Sequence, residues 1–150
     1  MTTHVQVKIK KLRQDATLPK YGTPYAAGAD LYACMDEDSI TIESGETKFV
    51  HTGLSIELPE GTVGLVYARS GLASKRGIAP ANKVGVVDSD YRGEIMVAMH
   101  NHSNVPQIVE KGERVAQLVI APYLTADFEL ADKLEESARG TAGFGSTGNK

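Results

Sequence analysis

The sequence predicts an all-β sandwich or barrel, and three observations predict it. Apolar residues recur at a period of two along most of the 150 residues, polar turn signals cut these runs at short intervals, and helical periodicity is thin. Short strands of this kind cannot bury an apolar face singly, so they pair into sheets closed over a shared core. In chain order, Val5, Val7 and Ile9 open the pattern, and the turn Tyr21-Gly22-Thr23-Pro24 leads into AAGADLYA at 26–33. Ile40 and Ile42 precede the turn Ser44-Gly45-Glu46. Phe49 then gives way to Leu54, Ile56 and Leu58, and Pro59-Glu60-Gly61 separates these from Val63, Leu65 and Tyr67. SGLASKR at 70–76 is the best candidate for a turn or two of helix. Val84, Val86 and Val87 run into a polar turn, and Ile95 and Val97 resume the alternation. Asn101 to Pro106 and Lys111-Gly112-Glu113 mark the turns before Val115 and Leu118 to Ile120. A second, weaker helical pattern covers 132–138. The closing RGTAGFGSTGNK has four glycines around one Phe and no apolar pattern to hold it, so it is expected to be mobile.

The length suits one domain whose core needs no metal or disulfide staple. The single cysteine, Cys34, cannot form an internal bridge, and no apolar run resembles a signal peptide or approaches membrane-spanning length; a cytoplasmic or otherwise intracellular protein without a membrane partner is expected. A net charge of -3 argues against a broad grip on nucleic acid but leaves room for a small anionic ligand held by two or three placed cations. His4, His51, His100 and His102 show no metal-ligand spacing with Cys34 or with one another.

Three internal segments carry polar residues that a sheet does not need. In ARSGLASKRGI (68–78), Arg69, Ser70 and the flexible Gly71 form either a phosphate cradle or a capped helix start; Ser70 lacks the surroundings of a nucleophile. In NKVGVVDSDYRGEIMV (82–97), a hairpin turn accounts for Ser89 to Gly93, while Asp88 abuts the apolar run; a carboxylate partly desolvated there suits a general base. Asp30 sits among small residues after a glycine, which a turn also explains. Gly143, Gly145 and Gly148 match a dinucleotide fingerprint, but no strand precedes them and no helix follows, and a P-loop would require Lys-Ser/Thr after its last glycine. The tail's amides, Ser146, Thr147, Arg139 and Phe144 instead suit a phosphorylated ligand carrying a flat ring.

In this order, AGADLYA (27–33), ARSGLASKRGI (68–78), NKVGVVDSDYRGEI (82–95), GERVAQLVIAP (112–122) and RGTAGFGSTG (139–148) closely resemble the five motifs of the trimeric deoxyuridine triphosphate nucleotidohydrolases (dUTPases). The resemblance implies a jelly-roll-like β barrel assembled as a homotrimer with shared active sites, the barrel at 1–134 and a Gly-rich lid at 135–150. It also implies Mg²⁺-dependent hydrolysis of dUTP to dUMP and pyrophosphate, which limits uracil in DNA and supplies dUMP for thymidylate synthesis. By position, Asp88 is the implied general base. Asn82 and the main chain at Val86, Val87 and Met96 line the uracil pocket, and Tyr91 lies beneath the deoxyribose. Arg69, Ser70, Gly71 and Gln117 contact the triphosphate, and Asp30 meets Mg²⁺ through water. In the tail, Arg139 binds the γ-phosphate, Phe144 covers the uracil, and Gly145, Ser146 and Thr147 supply amides and hydroxyls. Ala142 departs from the family's Gly and would strain closure by about 1 kcal/mol or more if that position needs positive φ. Two rivals stand beside this reading: a nucleotide-responsive regulatory module keeping the dUTP site, and a related deoxycytidine triphosphate deaminase. Deamination needs a Glu that residues 82–88 do not contain.

Overall fold

In the computed structural model, residues 3–148 are described. The expected alternation resolves into twelve strands: β1 (Lys8–Lys11), β2 (Lys20–Tyr21), β3 (Ala29–Tyr32), β4 (Ser39–Ile42), β5 (Thr47–His51), β6 (Leu54–Glu57), β7 (Thr62–Tyr67), β8 (Ile78–Pro80), β9 (Val84–Val87), β10 (Met96–Asn101), β11 (Gln107–Glu110) and β12 (Arg114–Pro122). They form four antiparallel sheets, β1-β6, β5-β10-β8, β11-β4 and β2-β3-β12-β7-β9. These wrap one apolar core that includes Leu31, Ile42, Val50, Ile78, Val97, Met99, Val109 and Val115. The nine-residue β12 is the spine of the largest sheet, pairing with β3 on one side and β7 on the other.

Side-chain parity decides which apolar residues reach this core. Leu54, Ile56, Leu58, Ile95 and Val97 are buried as their alternation predicts. Phe49 is not: Val50 occupies the core position of β5, so Phe49 points outward and is 62% exposed. Parity is also reversed along β7, where Gly64 and Val66 are buried while Tyr67 is exposed.

The helical segment at 70–76 is present as a short π-helix, Leu72–Arg76, anchored by buried Leu72 and ended by Gly77 at φ 65. The helix expected at 132–138 does not form. Residues 123–138 carry no strand or helix and are exposed throughout, so nothing supplies the packing on which a short helix depends. The turn at 101–106 is organised by buried Asn101, whose amide donates to the carbonyls of Ile42 and Val105.

Candidate active site

Two surfaces of the barrel gather most of the singled-out residues. The first is a cavity of about 280 Å³ beside β9 and β10, lined by Asn82, Val86, Val87, Asp88, Tyr91 and Met96 among others. β9 is the last strand of its sheet, paired on one side only with β7, so its other edge offers unpaired backbone N–H and C=O groups. Asn82 enters this edge through a tight turn in which Lys83 N–H donates to the Pro80 carbonyl and Val84 N–H to the Asn82 carbonyl. Lys83 is held at φ 65, a left-handed conformation that costs a non-glycine residue about 1–2 kcal/mol. Past β9, residues 88–95 carry no strand, and Tyr91 N–H donates to the Asp88 carbonyl at 3.2 Å. Asp88 itself is exposed. The desolvation expected of a carboxylate after an apolar strand is not supplied by its own chain.

The second surface lies where β3, β7 and β12 run side by side. Arg69 Nε donates to Asp30 Oδ1 at 2.9 Å, and Arg114 Nη1 approaches Asp30 Oδ2 at 3.5 Å. Asp30 therefore orients two guanidiniums from a side chain only 14% exposed. Gln117 faces Asp30 on one side and Tyr67 on the other, and its amide donates to the Ala68 carbonyl at 2.9 Å. Gly28 leaves room for it: a Cβ there would lie 2.3 Å from Gln117 Oε1. Ser70 and Gly71 are exposed at the start of the π-helix. The far end of that helix is tied down by Arg76, whose guanidinium bonds Glu113, the Ile108 carbonyl and Gln107 Oε1.

Within one chain these surfaces lie apart. Val84 opposes Tyr67 and Val87 opposes Gly64, so Asp88 leaves β9 at the end remote from Arg69. At about 3.3 Å per residue, roughly 20 Å of sheet separates them. The arm joins neither surface. Arg139 Nε donates to the Ala142 carbonyl at 2.7 Å, and Phe144 is fully exposed. Among the described residues, Gly145, Ser146 and Thr147 likewise line no cavity. Ala142 has no positive φ in this arm, whereas Phe144 lies at φ 52.

Sequence reasoning missed two residues. Arg114 is the charged neighbour of core-facing Val115 and Ala116, and that contrast was a usable signal. Phe49 lines the cavity mouth, and its parity relative to Val50 was the available clue.

A family model for dUTPase matches residues 14–148. The chain belongs to the dUTPase family. A deoxyuridine 5'-triphosphate nucleotidohydrolase of Desulfitobacterium hafniense (strain DSM 10664 / DCB-2) is 54% identical over 147 residues, 96% of this chain and 97% of that one. Another, from Maricaulis maris (strain MCS10), is 48% identical over 149 residues, covering 97% and 98%. The solved dUTPase of Staphylococcus bacteriophage 80alpha with dUPNHPP superposes with a TM-score of 0.86 at 27% identity, over 95% of this chain and 98% of that one. This dUTPase fold is shared by a mutant dUTPase from phage phi11 of S. aureus, for which a structural Mg(II) ion is described (TM-score 0.78, 22% identity, 88% and 100% covered). In the dUTPase chain itself, no group of three or more His, Cys, Asp or Glu among the described residues is placed to hold a metal ion.

Proposed function

We propose that this chain hydrolyses dUTP to dUMP and pyrophosphate at sites shared between the subunits of a homotrimer. The observation that carries the reading is the cavity bounded by the free edge of β9, with Asp88 at its rim. A strand edge is a row of fixed donors and acceptors. Uracil satisfies it through the main chain of Val86 and Val87, with the Asn82 amide and the Met96 backbone completing the pocket. Cytosine reverses a donor and an acceptor and leaves buried groups unpaired, a mismatch able to cost factors of roughly 10⁴ to 10⁵. Thymine's methyl group is excluded by collision instead. Tyr91 lies under the sugar, where a 2′-hydroxyl has no room.

Asp88 accepts a proton from the attacking water as its oxygen bonds the α-phosphorus. The bond from that phosphorus to the bridging oxygen breaks, and pyrophosphate leaves with the electron pair. The chain's donors fit a metal that would arrive with the nucleotide: Asp30, with both oxygens turned to guanidiniums, would meet Mg²⁺ through water. When bound, Mg²⁺ would supply neutralisation of charge on the triphosphate. Arg69, Ser70, Gly71 and Gln117 hold the phosphates, with Asp30 fixing the Arg69 fork.

The roughly 20 Å between Asp88 and Arg69 supports sharing, since one nucleotide must touch both groups and each chain keeps them at opposite ends of a sheet. The exposed Leu124, Phe128, Leu130 and Leu134 point the same way: apolar side chains along an arm with no packing of its own find cover on a neighbour. From that position the arm's Arg139, Phe144, Gly145, Ser146 and Thr147 close as a lid over the γ-phosphate and base. A regulatory module would keep the cavity but has no use for a base at its rim. The unpaired, buried Cys34 suits a reducing, intracellular setting.

Pyrophosphate release from each deoxynucleoside triphosphate with Mg²⁺ tests the reading. Release from dUTP alone is expected; equal turnover of dTTP, or none of any nucleotide, contradicts it.

A further inference from the structure

The segment carrying Tyr91 has no strand partner, yet the ring is held on two sides. Its hydroxyl donates to the Glu94 carbonyl at 2.8 Å. Its hydroxyl end abuts Gly93: a Cβ built there would lie 2.4 Å from Tyr91 Oη and 2.6 Å from Cζ. Gly93 is not among the residues with positive φ, so its backbone admits any side chain. What forbids one is the ring.

Glu94 is itself fixed to the barrel. Its Oε1 accepts the Gly53 N–H at 2.9 Å, and its Oε2 lies 2.7 Å from His51 Nδ1. Neighbouring bonds tie the same segment to the β5–β6 corner: Thr52 Oγ1 donates to the Ile95 carbonyl, Ser55 Oγ to the Arg92 carbonyl, and Ile95 N–H to the Leu54 carbonyl. Both carboxylate oxygens of Glu94 are thus committed to holding its own backbone in place, including the carbonyl that receives the tyrosine hydroxyl.

We propose that Gly93 and Glu94 form the seat of Tyr91 and act as positioning residues that set selection for deoxyribose over ribose. The inference rests on the reading that Tyr91 lies under the sugar. A floor that excludes one hydroxyl discriminates only while it cannot retreat, and a ring abutting a bare Cα and bonded through its hydroxyl to an anchored carbonyl has lost its freedom to do so. A side chain at 93 lifts the ring from its seat. Removing the Glu94 carboxylate loosens the carbonyl.

The test is kcat/KM for dUTP and UTP with Mg²⁺ in Gly93→Ala, Tyr91→Phe, Glu94→Ala and Glu94→Gln, with melting temperatures measured alongside. Gly93→Ala is expected to lower the dUTP-to-UTP ratio by about tenfold or more, because a displaced floor no longer distinguishes one hydroxyl. Tyr91→Phe keeps the ring but frees it, and lowers the ratio by a smaller factor. Glu94→Ala should do likewise, and Glu94→Gln, whose amide oxygen still accepts the Gly53 N–H, should restore most of the ratio. A merely structural role would lower activity on both nucleotides together and leave the ratio alone. An unchanged ratio in folded Gly93→Ala overturns the inference; if that variant does not fold, an unchanged ratio in Tyr91→Phe does so. Tyr91→Ala separates the two levels. A ratio that collapses there while the seat variants keep theirs removes the seat and leaves the sugar reading intact, whereas an unchanged ratio removes both.

Discussion

Asp88 follows an edge strand at the rim of a cavity and is exposed within its own chain. Asp88→Asn keeps the shape and removes the proton acceptor. We expect kcat to fall by about 10² to 10⁴ or more while the affinity for a non-hydrolysable dUTP analogue stays close to wild type. Retained turnover in single-turnover kinetics removes Asp88 from the mechanism. Asn82 and Tyr91 came only from the resemblance to the dUTPase motifs, but Asp88 was legible in the sequence itself because it follows an apolar run with a group a sheet does not require. The partnership of Asp30 with Arg69 and Arg114 was not, since it joins residues brought together only by the pairing of β3 with β12. Phe49 was misplaced because a lone apolar residue does not say which face of its strand is the core.

Strands were legible where alternation ran for several residues, as in β6 and β10. The two-residue β2 and the three-residue β8 are too short to show a period. The 132–138 pattern failed as a helix for lack of a surface to pack on. Near the N-terminus, Arg13 joins Asp15 at 3.1 Å and Asp36 at 2.8 Å, and Lys111 reaches Asp15 at 3.1 Å, linking the first loop to the β3–β4 and β11–β12 connections. Hydrogen bonds from Arg13 and then Lys111 hold the Asp15 carboxyl well below the usual carboxylate range, and Arg13 lowers Asp36 likewise. A depressed carboxylate pKa contributes stability that is fully present above the unfolded value near 3.8 and is lost progressively as pH falls from there towards the lowered folded value. Melting curves of wild type and Arg13→Ala are therefore expected to differ modestly above about pH 4 and to draw together progressively as the pH falls further. A gap that does not shrink as the solution is acidified assigns the effect to packing. The arm offers a second probe, because the chain has no tryptophan. Ordering a Gly-rich segment costs on the order of 1 kcal/mol or more per residue, while one base stack returns about 1–3, so phosphate contacts must supply the remainder. In Phe144→Trp we expect strong fluorescence changes with Mg²⁺ and a non-hydrolysable dUTP analogue but weak ones with dUMP. Equal responses contradict a phosphate-driven lid.

At the scale of the molecule, the chain presents a cavity beside β9, a cluster of Arg69, Asp30, Arg114 and Gln117, and an arm, and does not bring the three together. Motif order in the sequence indicated the parts of a site, but their separation could be read only from strand register, which sets Val87 against Gly64 and Val84 against Tyr67. A barrel complete in its own core leaves Asp88 exposed and the leucines that follow β12, Leu124, Leu130 and Leu134, uncovered. On the proposed reading, assembly of subunits completes the site. The most direct test mixes Asp88→Asn and Arg69→Ala subunits, each inactive alone, after denaturation and joint refolding, with mixed trimers verified by mass. If each site draws Asp88 and Arg69 from different chains, equal random mixing makes about a quarter of the sites fully intact, and activity on dUTP should return to about that fraction of wild type. If one chain supplied both groups, every site would lack one of them, and verified mixed trimers that remain as inactive as either parent would contradict the shared site.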